Sequence, residues 1–163
     1  MIAIRPVTPA DHLDVSVLVT SVFRQPNEAR LLEALRAEER AVIELLAADE
    51  EGPVGHALMA TMVAPEGWLT LGPVCVRPQN AGTGVGTALI IDALDQARQA
   101  GFEAAVVLGD PGYYKRFGFV FGGDITFITP YPAEYTGFYW FGAGPITAGP
   151  CVELAYPDAF TSA

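Results

Sequence analysis

The chain has 163 residues, of which 51% are hydrophobic and 17% charged, which is the composition of a globular core and not of a disordered polymer. Its 19 acidic against nine basic residues give a net charge of −10, which argues against a nucleic-acid surface, since that needs a basic stripe. No apolar run reaches the roughly 18 residues of a membrane span.

The opening "MIAIRPVTPADH" lacks the basic-then-apolar order of a secretory signal, so the expected compartment is the cytoplasm. The length suits one domain over 1–163. Cys75 and Cys151 form no CxxC pair, and His12 and His56 lie far apart, so no zinc constellation is expected.

In chain order, "IAIRPV" reads as a first strand. Thr8, Pro9 and Asp11 then carry helix-start signals: an N-cap, a proline at the first helical position and the acidic partner of a capping box. Leu13, Val17, Leu18 and Val22 are the expected apolar face of that helix. After "RQPN", the run "EARLLEALRAEER" predicts a second helix with Leu31, Leu32 and Leu35 inward.

The period then changes. "AVIELLAAD" and "VGHALMATMVA" read as strands joined by the turn "EEGP", and "WLTLGPVCVRP" as a further strand. The Gly72-Pro73 dipeptide in its middle predicts a bulge or a break in pairing, because proline has no N–H to donate. Ile90, Leu94 and Ala97 mark a third helix that Gly101 can end. "AAVVLG" is a buried strand, "DPGYYKR" a short helical bend and "FGFVFG" another strand. The remainder reads as short strands and long loops, closing with a strand near "CVELAYP". The order is that of a mixed α/β domain.

Between the "VCVRP" strand and the third helix stand Gly82, Gly84 and Gly86. Each glycine costs roughly 0.5–1 kcal/mol relative to alanine in regular structure, so bare backbone is needed there. A strand, a glycine turn and a helix start together make an anion site, with unpaired amides and a partial positive charge. A Walker loop fails, because the residue five after Gly82 is Thr87 and no Lys follows. A Rossmann fingerprint fails as well: its last glycine falls on Thr87 or Leu89.

"VRPQNAGTGVGTAL" does resemble the acyl-CoA pyrophosphate loop of the GNAT superfamily of N-acetyltransferases, with the pattern [QR]-x-x-G-x-[GA] falling on Ala81 to Gly86. Ala81 departs from the usual Gln or Arg. "DPGYYKRFGF" is similar to the second signature of that superfamily, in which a Tyr, here Tyr114, precedes a Gly-Phe pair, here Gly118-Phe119. "IRPVTPAD", "VGHALMAT" and "LGPVCVRP" resemble its opening segment, third strand and fourth strand. Together with "YPDAF" near the end they are similar to the subgroup labelled YhbS-like. The likeness covers residues 1–122 well and the variable, aromatic-rich 123–163 weakly.

The resemblance implies a GNAT fold: a central mixed, twisted sheet of about six or seven strands, splayed between the fourth and fifth and flanked by about four helices. It implies transfer of acetyl from acetyl-CoA, as cosubstrate, to a primary amine on a small molecule, a peptide or a protein, by direct attack in a ternary complex. The amides of Gly82, Thr83, Gly84, Val85, Gly86 and Thr87 would hold the pyrophosphate, with Arg77, Lys115 and Arg116 as candidate helpers. Val74, Cys75 and Val76 would pair with the pantetheine arm, and an amide near Val76 would face the oxyanion. Tyr114 matches the general acid. A water relay, His56 and Glu28 all stay open as the base, and Asp110 fits either a cofactor contact or a turn cap. Arg24, in the loop between the first two helices, is a candidate acceptor contact. The aromatic stretch Tyr131–Phe141 fits packing, an acceptor wall or a homodimer face. A non-catalytic acyl-CoA-binding regulatory module is the alternative, and no metal, nucleic-acid or membrane partner is expected.

Overall fold

In the computed structural model, which describes residues 1–142 and 144–162, the chain builds a six-stranded mixed sheet in the order β1-β2-β3-β4-β5-β7 and a separate two-stranded sheet, β6-β8. The strands are β1 (Ala3–Pro6), β2 (Ala41–Asp49), β3 (Gly52–Thr61), β4 (Trp68–Val76), β5 (Ala104–Leu108), β6 (Thr126–Ile128), β7 (Thr136–Trp140) and β8 (Cys151–Glu153). The helices are α1 (His12–Phe23), α2 (Asn27–Ala37), α3 (Val85–Gln99) and the single turns α4 (Pro111–Tyr114) and α5 (Ala159–Ser162). No described helix is long and apolar enough to cross a membrane. Ala143, inside the expected C-terminal loop, lies outside the described residues.

β1 to β4 form an antiparallel meander, and β4 pairs parallel with β5 over Trp68–Leu71 and Ala104–Val107. That parallel pairing stops at Leu71, while β4 runs on to Val76. The stop coincides with Gly72-Pro73, where the β3–β4 register also shifts, between Ala57 and Met59. A missing proline donor and a glycine at φ +141° interrupt the ladder there, as the sequence predicts. The sheet therefore opens between its fourth and fifth strands.

Alternation along the strands divides the core in two. On one face Leu69, Leu71, Ala105 and Val107 pack against Val85, Leu89, Ile90 and Leu94 of α3. On the other, Leu46, Leu58, Ala60 and Cys75 pack against α1 and α2, while Trp68, Val106 and Phe138 lie against Val152 and Leu154 at β8. Thr8 and Asp11 form the expected capping box, with the Thr8 amide 2.8 Å from the Asp11 carboxylate, which Arg5 also grips with two bonds. Gly101, at φ +86°, follows α3 as expected.

Two expectations are corrected. The inward face of α1 is Val15, Leu18 and Val19, with Val22 beside them, whereas Leu13 and Val17 are 76% and 62% exposed. Apolar residues ring this helix almost completely, so periodicity leaves its rotation open and the sheet contact decides it. The run "FGFVFG" is not a strand. Only Val120 bridges, to Phe138, because Gly118 (φ +102°) and Gly122 (φ +68°) turn the chain on either side.

Candidate active site

Gly82 and Gly84 adopt φ +74° and +90°, a left-handed region that glycine enters freely and that carries the chain from β4 into α3. The first α3 bond runs from the Ala88 amide to the Gly84 carbonyl, at 3.0 Å. The amides of Gly82, Gly84, Val85, Gly86 and Thr87 thus donate to no backbone carbonyl among the described residues. Thr83 differs: its amide reaches the Asn80 carbonyl at 3.3 Å and its hydroxyl the same oxygen, so it braces the turn.

These amides border a cavity of about 430 Å³ lined also by Val76, Asn80, Ala81, Tyr113 and Arg116. A Cβ at Gly86 would stand 3.0 Å from the Tyr113 hydroxyl and 3.3 Å from Val76, so the glycine lets that wall close up to the helix start. Arg116 stacks its guanidinium over the Tyr113 ring at 4.7 Å and donates to the Tyr113 carbonyl at 3.0 Å. Free amides, a helix start and one guanidinium suit a diphosphate.

The other cations proposed from sequence sit elsewhere. Arg77 donates to Asn80 at 3.1 Å and pairs with Asp49 at 3.5 Å, which fixes the loop's base, and neither it nor Lys115 lines the cavity. Asn80, which no sequence pattern singled out, holds both Arg77 and Thr83. Its signal is the turn chemistry of Asn in "RPQN".

Val74, Cys75 and Val76 lie beyond the point where β4 leaves β5, paired on one side with Ala57, His56 and Gly55 and flanked on the other by no strand among the described residues. The Cys75 side chain turns away into the α1/α2 side of the core at 5% exposure. Burial pushes its thiol up to about 12, against a smaller opposing effect of a hydrogen bond from the His56 backbone. A thiol so held is no nucleophile near neutral pH.

Tyr114 ends α4, the single turn that follows β5. Asp110 caps that turn: its carboxylate accepts from the Gly112 amide at 3.0 Å and its carbonyl from Tyr113 and Tyr114 at 3.1 and 3.0 Å. The Cδ2/Cε2 edge of the Tyr114 ring lies against Gly109, where a Cβ would come within 2.4 Å of it. Tyr113, Phe119 and Phe117 hold the ring at centroid distances of 5.0, 5.9 and 6.4 Å. Burial, and then the nearby Tyr113, push the phenol up to about 12, so it is protonated throughout the neutral range. Alanine at position 109 must tilt this ring. Gly109→Ala is therefore expected to lower turnover at least about tenfold, by the sensitivity of catalysis to misplacements of about 1 Å. Its acetyl-CoA affinity should be kept, and unaltered steady-state kinetics would refute the packing argument.

His56 is wholly buried, and its Nε2 stands 2.7 Å from a Glu44 oxygen. Glu44 also accepts two bonds from Arg36, one at 3.0 Å from Nε. Burial pushes the Glu44 carboxyl up, but the bonds from His56 and Arg36 outweigh this and hold it at about 2. His56 Nδ1 has no hydrogen-bond partner among the described residues. Glu44 was missed in the sequence, although one acid and one histidine in adjacent apolar strands are a legible signal: with Leu46 opposite His56, Glu44 falls diagonal to it on the same face. Glu28 accepts from Gln25 at 3.0 and 3.1 Å, and Arg24 ends α1 at φ +57°. Within the aromatic stretch, Tyr131 meets Tyr156 edge to face at 5.0 Å and Phe138 packs tilted against Trp68 at 5.2 Å, while Tyr135 is 49% exposed.

Residues 13–119 match the model of the acetyltransferase (GNAT) family. The chain is 32% identical over 120 residues to the uncharacterized N-acetyltransferase YhbS of Escherichia coli strain K12, across 71% of this chain and 72% of the relative. To the uncharacterized N-acetyltransferase YjhQ of the same strain it is 34% identical over 163 residues, 91% and 90% of the two chains. Its fold superimposes on crystalline E. coli YhbS in complex with CoA with a TM-score of 0.85 at 26% identity, covering 98% of this chain and 92% of that one. Superposition on a GNAT family acetyltransferase from Brucella melitensis in complex with acetyl-CoA gives 0.81 at 32% identity, covering 98% of both. The chain belongs to the GNAT family of acetyltransferases.

Proposed function

We propose that this chain transfers acetyl from acetyl-CoA to a primary amine in a ternary complex, with Tyr114 as the acid. The observation that carries the reading is the run of features along the opened sheet: a helix start with free amides, the unpaired edge of β4, and Tyr114 seated on Gly109 where β5 leaves β4. The crystal complexes of YhbS with CoA and of the Brucella relative with acetyl-CoA support the cosubstrate.

Bound acetyl-CoA supplies a thioester that an amine can attack. The amides of Gly82 and Gly84–Thr87, with Arg116, hold the diphosphate. They act locally, which lets them bind a polyanion despite a net charge of −10, since distant charges are screened beyond about 8 Å. The free edge at Val74–Val76 takes an extended, amide-bearing arm as an added strand would. The Tyr114 hydroxyl delivers its proton to the departing sulfur, and it retains that proton until then because its pKa is raised. Burial pushes the Cys75 thiol up, which supports direct attack over an acetyl-cysteine stage at that residue.

The test is acetyl-CoA turnover over a panel of primary amines, with intact-mass measurement of the protein. The reading requires acetylated amine, released CoA thiol and no acetylated Cys75. A trapped acetyl-cysteine overturns the direct route. Tight acetyl-CoA binding without turnover of any amine instead marks a binding module.

A further inference from the structure

A second cavity, of about 640 Å³, lies on the face of the sheet away from α3. Its walls include Thr136, Phe138 and Trp140 of β7, Phe127 of β6 and Ile146. The face is fixed by alternation along β7: Tyr139 packs in the α3-side core, whereas Phe138 packs on Trp68 and Phe127 on the opposite side. The volume and the mostly apolar walls are those of a small-molecule site. Trp140 already donates its indole N–H to the Gly144 carbonyl at 3.2 Å, so it presents ring surface and not a polar group to an occupant.

Among the described residues, Asp124 is the one charged residue that lines this cavity. It is exposed and makes no hydrogen bond or ion pair among the described residues. An apolar chamber with one unpaired carboxylate complements an organic cation with a hydrophobic body. The net charge of −10 favours the approach of such a cation as well.

We propose that this cavity binds amphipathic organic amines, the ring or branched body against Phe127, Phe138 and Trp140 and the ammonium toward Asp124. The site stands on the cavity's own chemistry and does not depend on acetyl transfer. Acceptor amines and non-reacting effector amines share that chemistry.

Calorimetric titration of 2-phenylethylamine, with the fluorescence of Trp68 and Trp140 as a second readout, tests it. Saturable binding is expected, with 2-phenylethanol (same body, no charge) and ethylamine (same charge, no body) both weaker. Asp124→Asn should weaken 2-phenylethylamine roughly threefold to fivefold, as for a partly solvated ion pair. Ile146→Trp, at a position 45% exposed, should fill the cavity and abolish binding. Unchanged thermal unfolding and acetyl-CoA titration keep both variants interpretable. No saturable binding by wild type, or equal affinity in wild type and both variants, overturns the proposal. Incubation with acetyl-CoA then separates the sources: an acetylated amine makes the occupant an acceptor, and bound but unmodified amine makes it an effector. Loss of acetyl-CoA binding in wild type would instead strike the acetyltransferase reading and leave this site standing.

Discussion

If Tyr114 is the acid, as proposed, Tyr114→Phe is expected to lower kcat for amine acetylation by about 10²–10⁴-fold, the span typical of a removed general acid, and to leave the acetyl-CoA dissociation constant unchanged. The phenylalanine ring keeps the contacts with Gly109, Tyr113 and Phe119 that position residue 114, so the loss isolates the hydroxyl. The pH profile supplies a second check. A phenol raised to about 12 is still protonated well above its ordinary value of 10, so no falling limb from Tyr114 is expected between neutral pH and about 10. Stopped turnover of a saturating amine measures both. An unchanged kcat in the variant would remove Tyr114 from the chemistry.

The largest expected effect on stability is at Glu44. Glu44→Gln leaves Arg36 and His56 at a half-buried site without their carboxylate, which costs about 3 kcal/mol, the low end for breaking a buried ion pair. For a chain of this size that corresponds to roughly 6–12 °C in Tm. The pH dependence follows from linkage. The folded pKa of Glu44, about 2, lies below its ordinary 4.5, so its stabilisation is complete above about 4.5 and is lost as pH falls toward 2. Wild type should therefore lose stability over this acid window faster than the variant, and the two unfolding curves should converge. Parallel curves across the window would show that the carboxylate contributes nothing.

What the sequence showed plainly was local. Gly82 and Gly84 were readable because positive φ leaves glycine as the natural choice, and Thr8, Pro9 and Asp11 because capping chemistry acts within one turn. Gly72-Pro73 announced the opening of the sheet because a missing donor interrupts a ladder wherever it occurs. The features that were hidden depend on partners distant in the chain. The rotation of α1 is chosen by the strands beneath it. Arg36, Glu44 and His56 meet only through hairpin register and the docking of α2. The chamber over β7 needs β6 and Ile146 brought onto Phe138 and Trp140, which no spacing within 123–163 encodes. Only the folded turn shows the Thr83 amide bonded to the Asn80 carbonyl.

The central claim, that the turn before α3 holds the diphosphate of acetyl-CoA, is tested most directly by isothermal titration of acetyl-CoA into wild type and Gly84→Val. A β-branched residue at φ +90° is strained by about 1–3 kcal/mol and reshapes the turn that aims the free amides. Wild type should bind with a dissociation constant of order micromolar, and the variant, with an unchanged circular dichroism spectrum, should show no saturable heat. Absence of binding by wild type, or equal binding by both proteins, would contradict the account.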